Sequence, residues 1–348
     1  MKYDICSLGN AIVDITFQIE TEFQEKLISK GISPRSMTLI DSEDQDSLLN
    51  DLKEFSKEES FMACGGSATN TIIAASNFGS NCYYSCRVSD DEFGNFYLKD
   101  LLDNKVSFDT IPSKSDLPTG RCVVMVTPDA ERTMCTNLGI SGEVSQDYIN
   151  EESIKNSTYL YLEGYLVTAE KALEAAIKSA DIAQKNEVKI AISLSDPNIA
   201  SIFKNQFLEI LKRKCNLIFC NELEAMSFTE TKNLRQSIDR LRDFSVQGLI
   251  TTGQKGCIAW NQKEALEIPT SKVEAIDSNG AGDMFAGAVL NAICDGKTLD
   301  QSAKFGCFAA SEKVKKSGPR VESGQYKKIK DQIDRLKILN RELKLIVN

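Results

Sequence analysis

The sequence predicts an α/β fold with a mostly parallel central sheet, together with a small separate β-sheet. From about residue 158 onward, short apolar strands alternate with amphipathic helices, a pattern typical of βαβ units and a parallel sheet. Between about 105 and 137, short strands follow one another across polar turns with no helical pattern between them. Consecutive strands of this kind indicate a small antiparallel sheet set apart from the main fold.

The elements of the N-terminal half follow from local apolar patterns. Runs rich in Ile, Val and Phe predict strands, and apolar residues at helical spacing predict helices. In chain order we predict strands over 3–9 and 12–19, a helix over 42–55, a glycine turn and small-residue helix over 64–79, a strand over 82–88, a helix over 92–104, and strands over 106–111, 120–127 and 132–137. The small sheet is expected to come from about 12–40 and 105–137.

The C-terminal half contains the alternating pattern. We predict strands over 159–166, 189–195, 216–222 and 248–253, with helices over 170–184, 200–213 and 234–244, another after residue 222, and an apolar helix after residue 283. A last helix is predicted over 325–347, with Ile329, Ile333, Leu336, Leu339 and Leu343 at helical spacing. Because we find no internal repeat and no low-complexity linker, residues 1–348 are predicted to form a single domain.

Composition excludes several classes of partner. The net charge is -9 and the pI is near 4.9, which disfavours nucleic acid as a partner. No apolar run reaches the roughly 18–20 residues needed to cross a bilayer, and Asp4 and Asp14 interrupt the N-terminal segment, which therefore does not look like a signal peptide. The eleven cysteines include no C-x-x-C pair, so most are expected to be buried thiols in a reducing, cytoplasmic compartment.

The chain contains no histidine. A Ser-His-Asp triad, a His-activated cysteine and any His-ligated zinc or iron site are therefore excluded. A general base must be Asp, Glu, Lys, Tyr or Cys.

One short stretch, DSNGAGDMF at 277–285, concentrates the chemistry. Its nearly side-chain-free run precedes Asp283 and an apolar helix, so the glycines lie at a helix N-terminus, where free N–H groups and the helix dipole favour an anion. A carboxylate beside a phosphate is unfavourable unless it has a task, such as taking a proton from an attacking hydroxyl. An Asn-Gly turn with a capping Asp, which needs no ligand, explains the nonapeptide equally well.

Four other strand-end motifs favour a ligand site. CGGSATN at 64–70 repeats the glycine turn that opens a helix, and GNAIVD at 9–14 supplies an amide and a carboxylate. NELE at 221–224 and TTGQKG at 251–256 each follow a predicted strand, at the sheet edge where ligands bind. Each motif alone is more often a cap or a turn, but together they carry the amides and carboxylates that a polyhydroxylated ring requires.

These motifs, in this order, resemble the ribokinase-type (PfkB-type) carbohydrate and nucleoside kinase family over nearly the whole chain. DSNGAGDMFAGA is similar to its C-terminal signature, and CGGSATN with RVSDDEFG is similar to its N-terminal one. GNAIVDI, ERTMCTNLGIS at 131–141, SLSDP at 193–197 and FGCFAASEKVKKSG at 305–318 look most like the family's adenosine kinases. The resemblance implies a ribokinase-like three-layer α/β/α domain with a small β-sheet lid over the substrate.

The resemblance also implies an activity, the ATP-dependent transfer of a phosphoryl group to a primary hydroxyl of a ribose-like ring, with adenosine as the favoured acceptor. Asp283 would be the base, and the backbone of 280–282 (Gly280, Ala281, Gly282) would form the anion hole. The implied substrate-binding residues are Asn10, Asp14, Gly66, Ser67, Asn70 and Arg132. The implied residues for ATP and for Mg²⁺, the latter held by Glu224 through water, are Asn221, Glu224, Thr252, Gly253, Gly256 and Cys307.

Three expectations rest on weaker matches. Asp277 and the Ser317–Gly318 turn match the place where many members hold a potassium ion. Cys307 stands where adenosine kinases often have His and sugar kinases Asn, which puts the adenine contacts in doubt. Tyr165 sits where an aromatic ring could stack on a nucleobase, although a core tyrosine at a strand end is as common.

Three functions therefore remain as alternatives. The first is an adenosine-preferring nucleoside kinase, and the second is a kinase of the same mechanism that acts on a free sugar such as ribose or fructose. The third is a non-catalytic, nucleotide-responsive binding protein, which the intact Asp283 argues against. The expected partner is a small-molecule substrate, with no nucleic acid and no membrane, and the protein is expected to be a monomer or a homodimer.

Overall fold

A computed structural model describes residues 2–34, 37–55, 60–128, 132–336 and 344–345. The strands are β1 (Tyr3–Leu8), β2 (Ile12–Gln18), β3 (Met37–Leu39), β4 (Phe61–Gly65), β5 (Cys82–Ser85), β6 (Gly120–Val126), β7 (Arg132–Asn137), β8 (Ser157–Leu162), β9 (Lys189–Ser193), β10 (Cys215–Asn221), β11 (Ser245–Thr251), β12 (Cys257–Asn261), β13 (Ala265–Ile268) and β14 (Lys344–Leu345). The helices are α1 (Phe23–Ser29), α2 (Ser42–Phe55), α3 (Ser67–Asn77), α4 (Glu92–Asp103), α5 (Glu151–Lys155), α6 (Glu170–Lys185), α7 (Pro197–Ile202), α8 (Lys204–Leu211), α9 (Glu222–Thr229), α10 (Leu234–Leu241), α11 (Ala281–Cys294), α12 (Leu299–Lys313) and α13 (Ser323–Leu336).

The central sheet has the strand order β14-β13-β12-β11-β10-β9-β8-β1-β5 in the described chain. The six strands from β11 to β5 are parallel to their neighbours, whereas β12, β13 and β14 continue the sheet as antiparallel strands. The parallel strands are apolar along nearly their whole length because helices cover both faces. The predicted α/β fold with a mostly parallel sheet is confirmed.

Two apolar cores lie on the two faces of this sheet. On one face, α6, α8, α9 and α10 pack over residues that include the fully buried Phe207, Phe228 and Trp260. On the other face, α3, α4, α11 and α12 pack around residues such as Tyr97 and Phe285. The arrangement is a three-layer α/β/α sandwich, and the α3–α11 contact within it determines where the chemically important side chains meet.

Among the residues that the structure describes, the second sheet has five strands in the order β3-β7-β6-β2-β4, with α1 and α2 packed against it. A separate small β-sheet was predicted, and one is present. Its pairing was predicted to be antiparallel, but β2–β6 and β3–β7 are parallel. The prediction did not anticipate β4, whose residues include the Cys64-Gly65 start of the predicted glycine turn.

The stretch 106–111 is the main error among the predicted strands. Instead of joining the small sheet, Ser107 forms an isolated bridge to Tyr83 of β5, at the edge of the central sheet. The rest of the stretch follows α4 as loop, so the part of 105–137 that lies in the small sheet is β6 and β7. Val106 and Phe108 pack against the core on the α3 and α11 face of the central sheet, whereas Ile111 is exposed. The tertiary contact of the first two overrides local strand propensity.

The remaining differences concern the ends of elements. The predicted helix over 200–213 is two helices, α7 and α8, separated at Phe203. The hairpin of β12 and β13 was not predicted. The predicted final helix begins as α13, and its positions Leu339 and Leu343 lie outside the described residues.

Two expectations drawn from the composition concern the state of the cysteines and the presence of membrane-spanning helices. All eleven cysteines are free thiols, and ten of them are buried. No helix in the described part of the chain combines the length and apolar character that crossing a bilayer requires.

Candidate active site

The candidate site lies at the carboxyl ends of the parallel strands, where ligands bind in open α/β sheets. A cavity of about 190 Å³ opens there between the ends of β8–β11 and the first turns of α3, α9 and α11. Its lining residues are Ser67, Tyr161, Ser193, Ser195, Phe219, Cys220, Asn221, Glu224, Leu249, Thr251, Gly282, Asp283, Phe285 and Ala286. The cavity thus joins residues from the N-terminal glycine motif, the NELE motif and the GAGD motif.

The glycine run before Asp283 builds the start of α11. Gly280 is the N-cap in the left-handed region with φ 70°, and a Cβ there would lie 2.0 Å from the carbonyl oxygen of Pro319. A Cβ on Gly282 would meet nothing within 4 Å, so this backbone is open to the cavity. The N–H of Ala281 donates to Ser278 O at 3.2 Å. In this structure the accessible first-turn donors are therefore those that follow Ala281.

Asp283 is held by two donors from α3. Ser67 Oγ donates to Asp283 Oδ1 at 2.7 Å, and Asn70 Nδ2 donates to Asp283 Oδ2 at 3.1 Å. Burial raises the pKa of Asp283 to about 6, and these two hydrogen bonds oppose the rise. The amide oxygen of Asn70 is itself buried with no hydrogen-bond partner in the described structure, which leaves an acceptor ready for a hydroxyl group.

The helices α3 and α11 can bring these side chains together because they approach closely. A Cβ on Gly287 of α11 would lie 2.5 Å from the carbonyl oxygen of Thr71 in α3. Small residues along α3 permit this close contact. Both helices begin at the same edge of the sheet, so their two glycine-rich N-termini face one cavity.

Glu163, at the end of β8, links the two N-terminal motifs. Its Oε1 accepts from Asn10 N at 2.7 Å and its Oε2 accepts from Ala68 N at 2.8 Å. The side chain is 1% exposed, and burial raises its pKa to about 7. Sequence reasoning missed Glu163, although a carboxylate directly after a predicted parallel strand was the signal that could have found it.

Asp14 and Gly66 lie beside this link. A Cβ on Gly65 would be 2.3 Å from Asp14 Oδ1, so the carboxylate of β2 lies directly over the glycine of β4. Gly66 has φ 89° and is the N-cap of α3. Burial raises the pKa of Asp14 to about 7, with Arg320 opposing the rise.

Asn221 and Glu224 form a reciprocal capping box at the start of α9. Glu224 N donates to Asn221 Oδ1 at 2.8 Å, while Glu224 accepts from Asn221 N at 3.0 Å and from Asn221 Nδ2 at 2.6 Å. Burial raises the pKa of Glu224 to about 7. A carboxylate that lines the cavity opposite Asp283 fits a water-mediated Mg²⁺ site, because oxygen ligands and retained waters are what Mg²⁺ prefers.

The other predicted nucleotide residues lie outside the cavity. Thr252, Gly253 and Gly256 form the loop between β11 and β12, in which Thr252 N donates to Gly256 O at 2.8 Å. Cys307 is buried in α12, and its carbonyl accepts from Thr270 Oγ1 at 3.2 Å. Tyr165 follows β8 and is partly buried, and its pKa is raised by burial and by the carboxylates Asp196 and Asp283 nearby.

Asp277 and Arg132 pair with each other. Arg132 of β7 forms an ion pair with Asp277 Oδ2, and Lys313 Nζ donates to the Asp277 carbonyl oxygen at 2.9 Å. Asn279 N and Gly318 N each donate to the Asp277 carboxylate at 2.7 Å. The carboxylate and carbonyl oxygens of Asp277 are thus already bonded to donors and cations, and Asp277 does not fit K⁺ as a further partner. Nothing in the sequence distinguishes Lys313 from the neighbouring lysines, and it too was missed.

The comparison with protein families is decisive. Residues 38–323 match the description pfkB family carbohydrate kinase. The chain belongs to this family. The predicted resemblance to this family is confirmed, and solved structures of similar proteins share the fold.

Individual relatives are similar over nearly the whole chain. An adenosine kinase of Saccharomyces cerevisiae is 23% identical over 343 residues, covering 93% of this chain and 98% of its own. A ribokinase of Mus musculus is 26% identical over 282 residues, covering 78% of this chain and 84% of its own. The crystal structure of adenosine kinase from Sinorhizobium meliloti superposes with a TM-score of 0.86 at 29% identity, covering 94% of this chain and 99% of that one.

These matches establish the class of reaction. The protein is an ATP-dependent kinase that phosphorylates an alcohol group. The similar proteins include adenosine kinases as well as a ribokinase. The comparisons therefore show the class of reaction but do not distinguish a nucleoside acceptor from a sugar.

Proposed function

We propose that this protein phosphorylates the primary 5′-hydroxyl of a ribonucleoside, with adenosine as the preferred acceptor and ATP as the donor. The observation that carries the proposal is the position of Asp283. It lies at the N-terminus of α11 in a cavity that also contains Glu224, and Ser67 and Asn70 donate to its two oxygens. This arrangement supplies a base, an anion site and a metal-side carboxylate within one small space.

The base acts on the acceptor hydroxyl, and the anion site acts on the phosphoryl group that is transferred. Asp283 takes the proton of the acceptor hydroxyl as its oxygen attacks the γ-phosphorus, and the bond to the β-phosphate oxygen breaks to release ADP. First-turn N–H groups of α11 stabilise the charge on the transferring phosphoryl group, and Gly282, without a side chain, lets that group approach. Ser67 and Asn70 keep the carboxylate aimed at the hydroxyl.

The acceptor is held by groups on the N-terminal side of the cavity. We assign the ribose hydroxyls to Asp14, Asn70 and the backbone of the Asn10 and Gly66 turns. The unpartnered amide oxygen of Asn70 and the carboxylate of Asp14 supply acceptors for hydroxyl protons. Glu163, through Asn10 N and Ala68 N, holds the two turns at a fixed separation.

The donor is held on the opposite side. Asn221 and Glu224 are the residues that would hold Mg²⁺ through water, and the ion when bound neutralises phosphate charge. We assign the β11–β12 loop, with Thr252, Gly253 and Gly256, to the nucleotide, and the second sheet to a lid that excludes water during transfer. Cys307, being buried, is assigned to packing beneath the nucleotide instead of to a contact with the base.

Adenosine is favoured over a free sugar by the extent of the similarity. The yeast adenosine kinase aligns over 98% of its own length, more than the 84% of the mouse ribokinase. Tyr165, near the carboxylates of the cavity, supplies an aromatic ring for a base. A sugar kinase of the same mechanism is the second candidate, because the ribokinase match has the higher identity, 26% against 23%.

The deciding experiment is a phosphorylation screen with MgATP and separate acceptors. Adenosine, inosine, guanosine, ribose and fructose are each assayed for ADP formation and for the phosphorylated product. Adenosine is expected to have the highest kcat/KM, with AMP as the product. Rapid turnover of ribose or fructose with none of adenosine would replace our acceptor with a sugar, and no turnover of any of the five would reject the proposed function.

A further inference from the structure

Lys313 is a buried lysine at the end of α12, where it contacts Asp277 in the loop before α11. Its side chain is 0% exposed, and its ammonium donates to the Asp277 carbonyl oxygen at 2.9 Å and lies 3.6 Å from Asp277 Oδ1. The mechanism proposed above does not use this group. Burying an ammonium is costly unless it is paired and hydrogen-bonded, so its position requires a reason.

The segments that contact Lys313 are the ones that shape the start of α11. Asp277 precedes Gly280 by three residues, and its carboxylate also accepts from the N–H of Gly318. The neighbouring Pro319 carbonyl lies against Gly280, where a Cβ would come within 2.0 Å. The contacts of Asp277 with Lys313 and Gly318 therefore bind the loop before α11 to the turn after α12, and the glycine N-cap is fixed between them.

An alkali cation at this place would make the same contacts. Potassium is bound by carbonyl and carboxylate oxygens that replace its hydration shell, and here the carbonyl and Oδ1 of Asp277 face the ammonium of Lys313. Arg132 pairs with the other carboxylate oxygen. The Asp277 carboxylate thus already has two side-chain cations beside it, which disfavours the binding of a further cation there. Burial lowers the pKa of Lys313 to about 8, and Asp277 opposes that change.

We propose that the Lys313 ammonium is the built-in cation of the anion site, so that phosphoryl transfer by this chain needs no potassium ion. The proposal rests on the proposed phosphoryl transfer at Asp283. Lys313 acts through Asp277 and the loop to Gly280, so it is a positioning residue and not a catalytic one.

The first test compares the wild type and Lys313→Ala in KCl and in choline chloride at equal ionic strength. Wild-type turnover is expected to be the same in both salts. Lys313→Ala, which leaves space beside Asp277, is expected to lose about tenfold or more in choline chloride and to regain most of that loss in KCl. Lys315→Ala, two residues further on at a more exposed position, is the matched control and should respond to neither salt.

A second readout does not require activity. KCl, but not choline chloride, is expected to raise the Tm of Lys313→Ala by about 2 °C or more while leaving the wild-type Tm unchanged. If Lys313→Ala does not fold, Lys313→Met takes its place, because methionine has a side chain of similar length without the charge. This variant is expected to lose turnover without rescue by KCl. Absence of acceptor turnover by the wild type would reject the proposed function, and the Tm comparison would still decide the cation question.

Three results would overturn the inference. They are activation of the wild type by KCl of more than about threefold, a wild-type Tm that rises specifically in KCl, or a folded Lys313→Ala variant that responds to KCl in neither turnover nor Tm. Each would mean that the ammonium does not stand in for the ion.

Discussion

At the residue scale, Asp283 is a carboxylate whose surroundings keep it both basic and ionised. Burial raises its pKa to about 6, and the hydrogen bonds from Ser67 and Asn70 limit the rise. A base with a pKa just below neutral is largely ionised at pH 7 yet accepts a proton more readily than an ordinary aspartate. The donors from α3 thus orient the carboxylate and adjust its proton affinity.

We expect Asp283→Asn to retain ATP and acceptor binding but to lower turnover by ~10²-fold or more, because the amide cannot take the hydroxyl proton. In the wild type, kcat/KM should fall on the acid side, because Asp283, with a pKa of about 6, is no longer a base once protonated, and the carboxyls of Asp14 and Glu224, with pKa values of about 7, add to the fall as they are protonated. Steady-state kinetics over a pH series measures both effects. Asp295→Asn, at the other end of α11, should keep normal turnover and the same acid limb, and near-normal turnover of Asp283→Asn would remove it as the base.

Glu163 holds two turns of the site together through hydrogen bonds to both of its carboxylate oxygens. We expect Glu163→Gln to raise the KM for the acceptor by about tenfold, because a carboxamide has one accepting oxygen for the two N–H donors of Asn10 and Ala68. The KM for ATP should change less, since the donor lies on the opposite side. Glu170→Gln, on the exposed first turn of α6, serves as the control. An unchanged acceptor KM would show that the two turns keep their separation without this link.

At the scale of elements, the site is formed by two facing helix N-termini. Both α3 and α11 begin with a glycine at positive φ, Gly66 and Gly280, at the same edge of the sheet. The unpaired N–H groups and the dipoles of both helices favour negative charge in the space between them. The glycines within the α11 motif nevertheless differ in what they contact, and their substitution should separate stability from activity.

Gly280→Ala and Gly282→Ala form a matched pair. The first places a Cβ against Pro319 O at a residue with φ 70°, so the free energy of unfolding should fall by about 1–3 kcal/mol and turnover should fall with it. The second meets no atom within 4 Å, so the Tm should hold while turnover falls, because the new methyl group enters the phosphate position. Thermal unfolding and steady-state kinetics distinguish the two. Equal losses of Tm in both variants would contradict this division.

At the scale of the whole molecule, the second sheet is tied to the α/β body at a charged contact. Arg132 of β7 pairs with Asp277, whose carboxylate lies beside the anion site and is 2% exposed. The proposed lid is therefore connected directly to the loop that precedes α11. We propose that closure of this lid and the geometry of the anion site are coupled through the buried carboxylate of Asp277.

Arg132→Met tests this coupling. We expect faster hydrogen exchange in β6 and β7 and a loss of about 1–3 kcal/mol in acceptor binding, because a hydrogen bond between charged groups is removed and Asp277 loses one of its two cations. Lys26→Met is the control, since Lys26 pairs with Asp51 between α1 and α2, within the second-sheet unit. If both variants exchange alike and bind the acceptor alike, the contact between β7 and Asp277 does not position the lid.

The sequence predictions succeeded where the structure depends on residues close together in the chain and failed where it depends on distant ones. Apolar periodicity depends on residues within a few positions of each other, and it correctly predicted the alternating elements from β8 to β11 and the helix after the GAGD motif. It failed at 106–111, where Val106 and Phe108 pack into the core of the central sheet and Ser107 forms a bridge to β5. It also did not predict the pairing of the small sheet, because parallel pairing of β2 with β6 joins strands that are far apart in the chain.

Which chemistry is possible could be read from the order of the residues along the chain. The glycines before two helices and the order of the strand-end motifs carried the resemblance to the kinase family, and the absence of histidine limited the possible bases to residues such as Asp283. The partners of each charged side chain, by contrast, depend on how the elements pack in three dimensions. Ser67 meets Asp283 across 216 positions, and Lys313, alike in sequence to Lys315, is the lysine buried against Asp277. The reason is physical: periodicity assigns a side chain to a face, whereas its burial and its partners depend on which elements pack there.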